Sequence, residues 1–144
     1  MLKKSLISLS IVLVFAFSAF AQKAYSPAKG SKERTAILNA LRVPVEKELK
    51  QKVQFEIQTF KMQGNWAFLN GNPQKMDGEQ PDYSNTGYQE AIDADMFDNN
   101  FQALLKKTGG KWKVVTYLIG CTDVCWLGWD KQYKAPKAIF PNAE

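Results

Sequence analysis

Cys121 and Cys125 are the only cysteines of the chain, three residues lie between them, and Trp126, Trp129 and Tyr133 follow at helical spacing. Two thiols this close support a local disulfide wherever the surroundings are oxidising. The C-x-x-C spacing of thioredoxin-like redox centres is not met, which leaves a structural bridge or two small buried thiols as the other roles. A bridge here closes a short loop, so it braces the turn after Cys121 rather than the whole domain. Trp126, Trp129 and Tyr133 share one face of a short helix, with Thr122-Asp123 expected as its N-cap and Asp123 therefore structural before it is catalytic. On that face the aromatics either cap the open end of a sheet or form a platform for a partner or glycan.

Much other chemistry is closed to this chain. It contains no histidine, which removes Ser-His-Asp and Cys-His nucleophiles and the usual zinc sites, since each needs an imidazole. An enzyme would have to work through carboxylates, Lys, Tyr or Cys, for which Tyr117, Asp123 and Glu56 are the candidates inside an apolar pocket. Asp93, Asp95 and Asp98 with Asn99 and Asn100 offer oxygen donors, but the glycine of a calcium loop is missing and a solvated acidic turn is expected. Neither a metal nor a cofactor is expected. Lys106, Lys107, Lys111 and Lys113 surround a hairpin tip, where they guard a strand edge or dock an anionic polymer.

These residues need a frame, and the chain spells one out. Lys3 and Lys4, an apolar run from Leu6 to Phe20 and Ala19-Phe20-Ala21 read as a secretory signal peptide over residues 1–21. Residues 22–144 are then one domain without a stable membrane anchor, working in the periplasm or outside the cell. Without Lys3 and Lys4, 17 basic and 14 acidic residues leave a net charge of +3, too mild and too poor in arginine for a nucleic-acid footprint. Ser31 is the expected cap of an amphipathic helix carrying Ile37, Leu38, Leu41, Val45 and Leu49, with a kink or break at Pro44 and a second piece ending near Gln51. Val53 to Met62 alternates as a strand with a bulge near Thr59, turns at Gln63-Gly64-Asn65, and returns as Trp66 to Asn70. The stretch from Gly71 to Asp98 is a long acidic loop hiding a short helix around Tyr88 to Asp93. Gly109-Gly110 joins two further strands as a primed-turn hairpin. Its second arm is apolar at both parities, Trp112, Val114 and Leu118 against Val115, Tyr117 and Ile119, and is expected to be central and covered on each face. Phe140 is expected to dock the C-terminal tail.

The fold class is thus α+β: an N-terminal helix packed on a curved four-stranded antiparallel sheet. Helix, two strands, long loop and two strands over Ser31 to Ile119 resemble the order of the cystatin-like and NTF2-like rolls. Gly30-Ser31, Arg34, Ile37, Ala40-Leu41-Arg42 and Pro44-Val45-Glu46, then Trp66-Ala67-Phe68, then Gly110, Trp112-Lys113-Val114-Val115, Ile119-Gly120, Thr122-Asp123-Val124 and Trp126 look like a group of small secreted bacterial proteins of no assigned activity. The resemblance carries no catalytic residue across. Lys61-Met62-Gln63-Gly64-Asn65 departs from the Gln-x-Val-x-Gly hairpin of cystatin-type inhibitors, and the His or Asp used inside the NTF2-like cone has no counterpart on a strand. The functional expectation is a non-enzymatic binding module for an extracytoplasmic protein, glycan or small molecule, which meets either the acidic loop from Gly71 to Asp98 or the aromatic segment after Cys121. A small-ligand carrier or enzyme with an NTF2-like pocket and an inhibitor of envelope hydrolases are the alternatives.

Overall fold

The computed structural model describes residues 22–141; the expected signal peptide and residues 142–144 lie outside the described residues. The order is α1 (Lys32–Leu49), β1 (Gln54–Gln63), β2 (Trp66–Gln74), α2 (Gln89–Asp93), β3 (Phe101–Thr108), β4 (Lys111–Ile119) and α3 (Trp129–Tyr133), with a final turn of 3-10 helix at Lys137–Ile139. The four strands form one antiparallel sheet in the order β1-β2-β3-β4.

Helix α1 starts where its cap dictates. Ser31 Oγ accepts the Arg34 amide at 3.2 Å and Glu33 occupies the first turn. The helix is not at the N-terminus of the described chain, because an extended lead-in precedes it. Tyr25 bridges to Met62 on β1, and the Arg34 guanidinium holds the Pro27 carbonyl. Nor does Pro44 break the helix. Ile37, Leu41, Val45 and Leu49 all bury on the sheet, and full burial of such side chains is worth roughly 1.5–3 kcal/mol each. Contacts on both sides of Pro44 outweigh the single hydrogen bond that its missing amide removes.

Side chains at alternate strand positions divide the core in two. On one face, Phe60, Met62, Ala67, Leu69, Phe101 and Leu105 pack under α1; on the other, Phe68 and Leu104 pack under Trp129, Ala135, Ile139 and Phe140 of the C-terminal segment. Phe140 docks the tail as expected, its ring 5.0 Å from that of Phe68.

The hairpin turns at Gly109 and Gly110, both at positive φ as a primed turn requires. Two expectations for its second arm need correction. Strand β4 is an edge strand, because the sheet is a meander and nothing pairs beyond β4. It is nevertheless covered on both sides. The parity also changes along it: the register shift opposite Leu104 and Leu105 leaves Val115 as an extra residue. Trp112, Val114, Tyr117 and Ile119 therefore all face α1, while Val115 packs on the other side. A matching irregularity in β1 falls between Ile57 and Thr59.

Strand β2 runs further than expected, through Pro73 to Gln74. Pro73 is tolerated because β3 pairs only as far as Gly71, so beyond it the second side of β2 has no ladder to serve. Gly71 is required sterically: a Cβ there would lie 1.9 Å from the Glu56 carbonyl oxygen. The acidic loop contains α2 where a short helix was expected, and it closes one end of the sheet. Tyr83 is buried and packs edge-on against Tyr88 and Phe97, while Gln51 exchanges two hydrogen bonds with the Asp82 backbone.

Candidate functional site

Cys121 and Cys125 are bridged, and the loop they close lies on the face of the sheet opposite α1. Two carboxamides hold it there. Asn100 Nδ2 donates to the Cys121 carbonyl at 2.7 Å, and Gln102 Nε2 donates to the Asp123 carbonyl at 3.2 Å. Helix α3 begins only at Trp129, after Gly128 at φ 87°, so Thr122-Asp123 does not cap it. The Asp123 carboxylate instead accepts the amide of its neighbour Val124 and is exposed. Cys125 to Gly128 form a turn rather than a helix, and Trp126 belongs to that turn.

The aromatic stripe consequently splits into unlike members. Trp129 is only 6% exposed and wedges against Phe68, so it is a core residue. Tyr133 packs edge-on against Trp129 and is partly exposed. Trp126 stacks on Phe140 with an interplanar angle of 19° and meets Phe68 edge-on, keeping part of its indole in solvent. Beside it stand apolar side chains that the core does not take up: Leu118 at 40% exposure, Val124 at 43% and Leu127 at 75%. They are neighbours through the fold. Leu118 is the cross-strand partner of Gln102, Gln102 holds Asp123, and Leu127 N donates to the Val124 carbonyl. A cleft of about 80 Å³ opens between this turn and the tail, lined by Trp126, Leu127, Gly128, Asp130, Lys137 and Phe140.

Val124 and Leu127 carried a signal that the stripe obscured. They sit off the i, i+3, i+7 positions of Trp126, Trp129 and Tyr133, and both are exposed. Burying neither of them leaves a local apolar patch on a turn whose backbone is fixed at both ends.

The polar candidates for an internal pocket do not converge. Tyr117 faces α1, whereas Glu56 projects from the opposite face of the sheet and Asp123 sits on the bridged loop. Tyr117 instead donates to Glu48 on the last turn of α1, and Tyr88 of the acidic loop donates to the same carboxylate. Sequence reading had no access to Glu48, whose partners lie 40 and 69 residues away. Burial, reinforced by the Glu48 charge, raises the Tyr88 and Tyr117 phenols above their ordinary value; burial alone raises Tyr83. These tyrosines tie loop, helix and sheet together. At the other end of α1, the Glu33 carboxylate accepts Lys107 Nζ at 3.0 Å and the Trp112 indole at 3.1 Å. One of the four hairpin lysines is thus engaged by α1, and Lys106 lies over the Trp66 ring. No group of three or more His, Cys, Asp or Glu side chains suited to a metal ion occurs among the described residues, and no helix among them is long and apolar enough to cross a membrane.

No family model matches the chain, and comparison with curated proteins and with solved structures gave no match.

Proposed function

We propose that this protein is a non-catalytic binding module of the periplasm or extracellular space, which meets its partner through the bridged turn from Cys121 to Gly128. One observation carries the reading: Val124 and Leu127 remain in solvent close in sequence to a half-buried Trp126, on a turn held by a disulfide and two carboxamides. A turn made rigid in this way loses little conformational entropy on binding, and tryptophan is among the side chains most enriched at interface centres. The disulfide and the basic, then apolar, first 21 residues support the compartment. A helix laid across a four-stranded antiparallel meander supports likeness to the cystatin-like and NTF2-like rolls as the frame of this reading.

The NTF2-like pocket has less in its favour. The space between α1 and the sheet is filled by Ile37, Leu41, Val45 and Leu49 against Phe60, Leu69, Phe101 and Leu105.

A photoreactive amino acid placed at Leu127, with a second chain carrying it at Val43, tests the proposal in cells that secrete the protein. Val43 is an equally exposed apolar residue, 70% exposed on α1. Adducts are expected at position 127 and not at 43. Equal labelling at both positions, or none at 127, overturns the assignment.

A further inference from the structure

Next to the bridged turn, the same face of the sheet changes character. The C-terminal segment covers Phe68 and Leu104, but it does not reach the far ends of β1, β2 and β3. There the side chains opposite α1 are Gln54, Gln58, Asn70, Asn72, Gln74 and Gln102, with Glu56 and Thr59 among them. The register makes them one surface. Gln54 lies opposite Gln74, Glu56 opposite Asn72, and Asn70 opposite Gln102, whose other cross-strand partner is the exposed Leu118.

This composition is not what strand stability selects. Asn is disfavoured in strands and Gln contributes little, while Thr, Val and Tyr supply stability on a solvated face. Nor is it what solubility selects in a chain with 17 Lys and Arg beyond residue 21. Within the patch Glu56 is the sole charge; Lys61 and Lys75 lie at its margins. The carboxamides are also held in place. Gln58 Nε2 donates to Asn72 Oδ1 at 3.0 Å, Gln74 Nε2 reaches Glu56 at 3.5 Å, and Gln54 Nε2 donates to the Lys75 carbonyl at 3.1 Å. Each of these bonds uses one hydrogen of an NH2 group and leaves the other hydrogen available. The free oxygens of Gln54 and Gln58 are acceptors beside them.

Gln102 adds an independent mark. It is 6% exposed, its Nε2 is committed to Asp123, and that partner accepts only, so the amide cannot be reversed. Its Oε1 has no hydrogen-bond partner among the described residues, and the same holds for Asn70 Oδ1 across the strand. Both oxygens are enclosed beneath the border between the carboxamide patch and the bridged turn, so they mark that border as polar without themselves reaching a surface ligand.

From this surface we infer a binding site for a neutral glycan. Resting on the binding-module reading above, the inference extends it to a ligand class. Carboxamides pair donor and acceptor on one rigid group, which matches the vicinal hydroxyls of a sugar without the desolvation cost of a full charge. Strand spacing makes the patch about 10 Å across and about 14 Å along the strands, the scale of a short run of sugar rings. Trp126 borders it beyond Phe68 and offers an indole to the apolar face of a ring. An anionic polymer is disfavoured, since Glu56 would repel it and no cation lies within the patch.

Cellohexaose and chitohexaose, titrated into isotope-labelled mature protein, test the site, with polygalacturonate as an anionic comparison. Saturable shifts are expected in the side-chain NH2 signals of Gln58, Asn72 and Gln74 and in the Trp126 indole N–H, with at least one neutral saccharide. Gln58→Ala and Asn72→Ala should each weaken binding about five-fold while leaving the backbone spectrum unchanged elsewhere. Silence with both neutral saccharides, shifts confined to other residues, unaltered binding by the two variants, or an equal response to polygalacturonate would overturn the inference. If Leu127 is cross-linked to a protein while both saccharides leave the spectrum unmoved, the glycan site falls and the binding-module reading stands.

Discussion

Trp126 and Trp129 lie three positions apart, and their removal should have opposite consequences. Trp129 is almost wholly enclosed, edge-on to Phe68 at 6.5 Å and to Tyr133 at 6.3 Å. Truncating a buried tryptophan removes its transfer free energy and leaves a cavity, about 3–5 kcal/mol in all. In a domain of this size each kcal/mol moves the melting midpoint by roughly 4 °C, so Trp129→Ala should melt about 12–20 °C below the parent. Trp126→Ala gives up a stacked contact with Phe140 and an edge contact with Phe68 at the margin of the same cluster. Since part of its indole already touches water, about 1–2 kcal/mol is expected. Thermal and urea denaturation followed by far-ultraviolet circular dichroism measure both. A Trp129→Ala chain as stable as Trp126→Ala would refute the division between core and surface on which the proposed binding turn depends.

Three further outcomes follow from the geometry. Gly71→Ala should cost about 3 kcal/mol or more, because the added Cβ meets the Glu56 carbonyl in a paired strand rather than a side chain able to rotate away; a urea midpoint within error of the parent would contradict the close approach of β1 and β2. Stability should fall as pH rises above 10, the ordinary value for tyrosine. The folded-state pKa values of Tyr83, Tyr88 and Tyr117 are raised, so their contribution is complete below the unfolded pKa and is lost as the unfolded chain alone gives up its protons. The slope reaches at most about 1.4 kcal/mol per pH unit for the buried Tyr83 and less for the partly exposed, solvent-screened Tyr88 and Tyr117, and Tyr83→Phe should flatten it, as urea titrations across alkaline pH would show. Replacing both cysteines by Ala should lower global stability by no more than about 2 kcal/mol, the chain-entropy value for so short a loop, while amide exchange quickens between Thr122 and Leu127 and not in the strands.

The legible parts of this fold are those set by local rules. Ser31 had a capping side chain and a following acidic turn, Gly109-Gly110 had no other conformational use, and the Ile37, Leu41, Val45, Leu49 stripe had one period; all three stand in the structure. What misled was long-range. The apolar character of β4 came from two covers, α1 and the C-terminal segment, and not from a central place in the sheet, which residue types alone cannot separate. Its bulge at Val115 reversed the parity of everything after it, so Leu118 was assigned to the wrong company. Pro44 read as a kink or a break because the loss of one backbone bond is visible in sequence, whereas the packing that keeps the helix continuous is not. At the candidate surface, the Trp126, Trp129 and Tyr133 stripe was legible as a unit, but its division between core and solvent depended on Phe68 and Phe140, which approach from elsewhere in the chain. The carboxamide face was hidden in the same way, spread over three strands and assembled only by their register.

The central claim, that the bridged turn is where this protein meets its partner, is tested most directly by comparing Leu127→Asp with Val43→Asp. Both residues are exposed and neither belongs to the core, so both variants should retain the parent melting midpoint. Tagged copies expressed and secreted by the natural host are cross-linked briefly and recovered. The account expects the partner to be recovered with the parent and Val43→Asp chains and lost from Leu127→Asp. Undiminished recovery with a folded Leu127→Asp chain would contradict it.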